Sequence, residues 1–125
     1  MSARNPILVI DDDEDIRDVL EMALESMGYC VEQAGGGAEA LRLMEDGPKP
    51  SLVLLDMMMP DMDGEAVLSA MRRAPALADI PVVLVTGHAA AQEKALELNA
   101  ASALVKPIQY DELASTVERF ATPRL

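Results

Sequence analysis

Cysteine, aromatic side chains and positive charge are all scarce in this chain. Cys30 is the only cysteine, which excludes an intramolecular disulfide and a cysteine-built zinc site and fits a reducing compartment. Tryptophan is absent and the aromatics are Tyr29, Tyr110 and Phe120 alone, so the bases of a single strand would find no stacking platform. Lys and Arg number 10 against 22 Asp and Glu, a formal net charge of −12. Such a chain is repelled by phosphate backbones and anionic membranes, and direct nucleic-acid binding is not expected. No segment approaches the roughly 18 uninterrupted apolar residues of a membrane span. The apolar run in MSARNPILVI is too short for a signal-peptide core. A soluble, cytoplasmic protein is expected, without membrane insertion.

What is present is a sufficient core. Half of the 125 residues are apolar, enough for one domain without disulfides or a structural metal. A single domain over 1–125 is expected, with a structured core over about 5–121 and no linker leading to a second domain.

Apolar runs and helical stripes alternate along this length. Ile7–Ile10 reads as a strand buried on both faces and ends abruptly at Asp11. Ile16, Val19, Leu20, Ala23, Leu24 and Met27 then recur at helical spacing, with Gly28 as the stop. Tyr29–Gln33 is a second strand, broken by Gly35–Gly37, and Ala38–Met44 a second helix, ended by Gly47, Pro48 and Pro50. Leu52–Leu55 repeats the opening pattern and closes on Asp56. A helix from about Glu65 to Arg73 follows, then strand Val82–Val85 closed by Thr86 and Gly87. Ala89–Leu98 is a fourth helix that Asn99 can end in the left-handed conformation. Ala103–Val105 is a fifth strand closed by Lys106 and Pro107, and Tyr110–Ala121 a fifth helix burying Leu113, Ala114, Val117, Phe120 and Ala121. Five strands alternating with five helices predict an α/β domain with a parallel sheet. The flavodoxin-like (βα)5 order 2-1-3-4-5, with helices on both faces, is the expectation.

In a parallel sheet the closing residues Asp11 with Asp12, Asp56, Thr86 and Lys106 all lie on one edge, where open α/β sheets bind ligands. Strands one and three would be neighbours about 5 Å apart, crowding three carboxylates. Two carboxylates about 4 Å apart repel by roughly 4 kcal/mol at an effective dielectric of about 20. The position therefore demands a cation, and Mg²⁺ suits a site of few carboxylates with room for water and phosphate. Three carboxylates, a divalent ion and Lys106 sum to zero charge. These are the parts for phosphoryl transfer to a carboxylate: a nucleophile, a metal, a lysine point charge and a threonine hydroxyl. Asp56 is the nucleophile candidate because it stands alone at its strand end, whereas Asp11 and Asp12 form a paired grip. Gly87 leaves space beside Thr86.

The motifs DDDEDIR, LLDMMMPDMDG, VTG and VKP, each after its own strand and in this order, resemble the receiver domain of two-component response regulators over nearly the whole chain. The resemblance is to a stand-alone, chemotaxis-regulator-like receiver. It implies that Asp56 accepts a phosphoryl group from a phosphohistidine on a sensor histidine kinase or histidine phosphotransfer protein, and so switches the binding of a downstream protein. It further implies that Asp11, Asp12, Asp56 and the backbone carbonyl of Met58 hold Mg²⁺, that Thr86 and Lys106 contact the phosphoryl oxygens, and that the Lys106–Pro107 peptide is cis. A receiver is not a turnover enzyme, although it can slowly hydrolyse its own aspartyl phosphate. One departure stands out: Ala103 occupies the place of the family's switch aromatic, three residues before the lysine. That keeps open a second reading, a receiver-like interaction module that is not phosphorylated.

Other chemistries are excluded by particular residues. A calcium loop starting at Asp11 would need Gly at its sixth position and Glu at its twelfth, where Ile16 and Met22 stand. A haloacid-dehalogenase phosphatase would place a second Asp at Met58. Asp13, Glu14 and Asp15 read as acidic residues at a helix start. Met57–Met59 read as a loop packed on the core by its thioethers, and Cys30 as a buried apolar residue. His88, the only histidine, reads as a loop residue beside the site that tunes water access to the phosphoryl group, or does nothing, rather than one that carries chemistry.

Overall fold

In the computed structural model, residues 5–87 and 91–121 are described. Ten elements alternate along them: β1 (Ile7–Ile10), α1 (Glu14–Ser26), β2 (Val31–Ala34), α2 (Gly37–Asp46), β3 (Leu52–Asp56), α3 (Gly64–Arg73), β4 (Val82–Thr86), α4 (Ala91–Glu97), β5 (Ser102–Val105) and α5 (Tyr110–Phe120). The sheet is parallel throughout, in the order β2-β1-β3-β4-β5, so the expected flavodoxin-like topology is the one observed. Ile10 pairs with Leu55, and Asp56 with Val85. The segments after β1 and β3 therefore leave the sheet side by side.

Alternation within each strand divides the core into two layers. Leu8, Ile10, Val53, Leu55, Val82, Leu84 and Ala103 pack with Ala40 and Met44 of α2, Val67, Leu68 and Met71 of α3, and Ala91 and Ala95 of α4. On the opposite face Ile7, Val9, Leu52, Leu54, Val83, Val85 and Leu104 meet Leu20 and Leu24 of α1 and Leu113 and Val117 of α5. Central strands buried on both faces read as continuous apolar runs for this reason.

Two helix ends use the same device. Gly28 has a φ of +99° and Asn99 a φ of +59°. Gly28 N–H donates to Glu25 O and Tyr29 N–H to Leu24 O, at 3.0 and 3.1 Å. Asn99 N–H donates to Leu96 O and Ala100 N–H to Ala95 O, at 3.2 and 2.8 Å. Both patterns are Schellman closures, in which a left-handed residue lets two further amides satisfy the last carbonyls. The first explains why β2 starts at Val31 rather than at Tyr29 as the sequence suggested: the Tyr29 amide is committed to the cap of α1.

Four other expectations are corrected. Val19, read as part of the inward stripe of α1, is 64% exposed, because it lies about 100° around the helix from Leu20, which faces the sheet. Met58 is 71% exposed while Met59 is buried, so the methionine loop packs on the core through only part of its length. Cys30 is half-buried rather than buried. β3 and β4 each extend one residue further than the apolar run and include Asp56 and Thr86. The expected start of the fourth helix at Ala89 and the loop position of His88 lie outside the described residues. No helix of the described residues is long and apolar enough to cross a membrane.

Candidate functional site

The carboxyl edge of the sheet collects side chains from four strands. β1 delivers Asp11 one residue past its end; the Asp11 N–H donates to Ala34 O of β2 at 3.2 Å, which extends the ladder to this position. β3 ends on Asp56 and β4 on Thr86, and all three are buried, each 3% exposed. Asp12, the next residue of the β1–α1 loop, is exposed. Carboxylate oxygens of Asp11, Asp12 and Asp56 lie within 4.8 Å of one another. Asp13 turns away and caps α1, accepting from Asp15 N–H at 2.9 Å and Ile16 N–H at 3.3 Å, as its place at a helix start suggested.

Lys106, just after β5, reaches over this group. Its Nζ stands 3.4 Å from Asp56 Oδ1 and 3.5 Å from Asp11 Oδ2. The Lys106 N–H donates to Thr86 O at 2.8 Å, so β4 and β5 hold one another's terminal residues in register. The Lys106–Pro107 peptide is cis. Met58 N–H donates to Asp56 Oδ1 at 3.2 Å. Burial pushes the Asp56 carboxyl above its ordinary value; the Met58 N–H opposes that, the Asp11 charge adds to it and Lys106 lowers it again. A side chain on Gly87 would meet open space.

Gly64 is required by close approach. A Cβ there would lie 2.8 Å from both the Asp56 carbonyl oxygen and Met57 Sδ, closer than packed atoms come. Gly64 N–H donates to Met57 O at 3.3 Å, folding the loop of four methionines back under the start of α3. Asp63 caps that helix through Ala66 N–H at 2.9 Å.

The sequence singled out Asp11, Asp12, Asp56, Met58, Thr86 and Lys106, and all six share this edge. It did not single out Arg17. From the first turns of α1 the Arg17 Nη1 donates to Asp11 O at 2.7 Å, and its Nε donates to Gln33 Oε1 at 2.9 Å. The available signal was a cation one helical turn inside an otherwise acidic helix start.

The chain matches the family model described as the response regulator receiver domain over residues 7–118, and it belongs to that family. Receivers are the phosphoryl-accepting signalling domains of two-component systems, signalling modules in kind. It is 37% identical over 113 residues to the DNA-binding dual master transcriptional regulator RpaA of Synechocystis sp., covering 89% of this chain and 46% of that protein. It is 34% identical to an uncharacterized 14.6 kDa protein in the sodA1 3′ region of Leptolyngbya boryana, covering 94% of this chain and 91% of that one. Among solved structures it superposes on chemotaxis protein CheY4 of Vibrio cholerae with a TM-score of 0.85 at 28% identity, covering 94% of this chain and 99% of that one. The chain spans about half the length of several curated relatives it matches.

Proposed function

We propose that residues 1–125 act as one receiver unit in which Asp56 is the phosphoacceptor. The carboxylate attacks the phosphorus of a phosphohistidine; a bond forms between Asp56 oxygen and phosphorus while the bond to the imidazole nitrogen breaks, and the imidazole leaves with the bonding pair. Lys106 provides the fixed positive charge for the phosphoryl oxygens and Thr86 a hydroxyl donor. The observation that carries this reading is the cluster of three carboxylates within 4.8 Å, faced by one lysine at 3.4 and 3.5 Å. A complete set of these groups is more than an interaction module without phosphorylation needs, and that alternative is not favoured.

The donor set fits Mg²⁺: hard oxygen ligands, few in number, with Asp12 open to solvent so that coordinated water can remain. Asp11, Asp12, Asp56 and the Met58 carbonyl would hold the ion. When bound, it neutralises charge between the carboxylates and the phosphoryl oxygens.

A protein donor is supported by the surface beside the site. A groove of about 550 Å³ runs between α1 and the β5–α5 loop, lined by Ile16, Val19, Leu20, Pro107 and Ile108 together with Asp15 and Lys106. Val19 and Met22 stand 64% and 71% exposed on α1. A histidine kinase or phosphotransfer protein would bring its phosphohistidine to Asp56 across this apolar surface. The downstream partner is a protein: with a charge of −12 the chain itself is no nucleic-acid binder, although relatives such as RpaA are named for DNA binding. Its place is the cytoplasm, where such donors work.

Incubation with acetyl phosphate and Mg²⁺, followed by intact mass measurement, tests the reading. Wild type is expected to gain one phosphoryl mass and Asp56→Asn none, since an amide is not a comparable nucleophile. Equal labelling of the variant would remove Asp56 from the role.

A further inference from the structure

Asp11 and Asp12 are held in very different ways. Asp11 is buried, its N–H is in the sheet, and its Oδ1 accepts from Asp13 N–H at 2.9 Å. Asp12 is exposed, and among the described residues its carboxylate takes no hydrogen bond. Its placement therefore depends on the peptide that joins it to Asp11. The oxygen of that peptide is Asp11 O, the acceptor of the 2.7 Å bond from Arg17 Nη1.

Arg17 is itself oriented from β2. The Gln33 amide nitrogen donates to Asp18 Oδ1 at 3.0 Å and to Glu21 Oε1 at 2.6 Å. With its nitrogen committed to two carboxylates of α1, the amide must present its oxygen to Arg17 Nε, at 2.9 Å. A guanidinium donates in two directions from one rigid plane, and an ammonium on a flexible stem does not reproduce this.

We propose that Arg17 is a positioning residue for the divalent-cation site: by gripping the Asp11–Asp12 peptide from α1, with Gln33 setting its orientation, it holds Asp12 where one cation can be shared with Asp11 and Asp56. This rests on the cation site described under the proposed function. Arg17 would act through the Asp11–Asp12 peptide and not as a ligand of its own.

The sign of the effect separates positioning from charge. If Arg17 acted only as a nearby positive charge, removing it would tighten the binding of a cation. If it positions Asp12, removing it weakens binding despite the more negative site.

Calorimetric titration of the full chain with Mg²⁺ alone, without phosphodonor, reads this difference. Arg17→Met is expected to weaken Mg²⁺ binding by roughly tenfold, the scale found when groups that orient metal ligands are lost. Gln33→Met, which keeps the arginine and its charge, is expected to weaken it in the same direction, and Arg17→Lys to restore little. Leu24→Val, which loosens α1 away from the site, serves as the stability control and is expected to keep the wild-type affinity. Unchanged or tighter binding by folded Arg17→Met overturns the proposal, as does equal weakening by Leu24→Val. Should Arg17→Met fail to fold, unchanged binding by Gln33→Met overturns it. Absence of Mg²⁺ binding by wild type would instead overturn the cation site itself, and this inference with it.

Discussion

As the proposed phosphoacceptor, Asp56 would meet two opposed demands, burial among carboxylates and ionisation for attack. Because burial raises its pKa above 3.8, the folded protein keeps a proton over a pH interval in which the unfolded chain has lost it. The native state then binds more protons than the unfolded one, and stability falls as pH rises from 3.8 through the raised value. Asp56→Asn is therefore expected to melt a few degrees higher than wild type at neutral pH without metal, the gain shrinking as pH is lowered toward 3.8. Thermal melts across pH check this, and a difference independent of pH would refute it. Lys106 acts in the other direction. Its side chain is a third exposed, so solvent screens it, and Lys106→Ala is expected to fold while losing about 1 kcal/mol in urea denaturation of the metal-free protein. The same variant is expected to lose the partner response that follows phosphorylation; a wild-type response would make Lys106 a bystander.

α1 and α4 carry the consequences beyond the edge. Val19→Asp and Met22→Asp place charge on the apolar flank of α1 without touching the core, since both side chains face outward. Labelling by acetyl phosphate is expected to be unchanged, whereas transfer from a phosphohistidine protein is expected to slow at least about tenfold, the cost of a desolvated charge of roughly 1.4 kcal/mol or more. Equal rates from both donors would show that the groove is not where the donor sits. Under the proposed function output is expected to run through α4, whose Gln92 amide donates to the Ala103 carbonyl at 2.7 Å. A phosphoryl group shifts a conformational equilibrium only through contacts that differ between states, and Ala103 has no rotamer to change. Amide shifts on beryllofluoride binding are therefore expected to be largest at Met58–Gly64 and from Thr86 into α4, and small along Ala103–Val105. Largest changes along β5 and α5 would refute this route.

The charge balance of the fold as a unit couples metal binding to stability. The carboxylate cluster is assembled only when β1 and β3 pair, so Mg²⁺ held there, as proposed, would bind the native state in preference to the unfolded chain. At roughly tenfold excess over its dissociation constant the ion is expected to add about 1.4 kcal/mol. Scanning calorimetry with and without Mg²⁺ reads the shift, and Asp12→Ala is expected to abolish most of it. An unmoved wild-type transition would show that the three carboxylates do not act as one site.

The elements were legible because their signals are local. Ile7–Ile10 and Leu52–Leu55 could be read as central strands from apolar continuity, and the same continuity, ending on acids, placed Asp11 and Asp56 on one edge. Gly28 and Asn99 could be read as helix stops because a positive φ is a property of single residues. Tyr29, Val19 and Met58 were misread where partners lay elsewhere in the chain: a cap takes the Tyr29 amide, the direction of the sheet turns Val19 outward, and the loop beneath α3 leaves Met58 in solvent. Periodicity cannot supply such information, since it records which residues are apolar and not which face each neighbour covers. The alternation, the strand ends and the chemical identity of the edge are local properties, carried by residue order alone. Packing between distant segments sets the rest: Asp12 is exposed where Asp11 and Asp56 are buried, Gly64 sits against the Asp56 carbonyl, and Arg17, itself bonded to Gln33, donates to the Asp11 carbonyl. Each of these is a meeting of segments distant along the chain, set by lateral strand register and by helix orientation on the sheet.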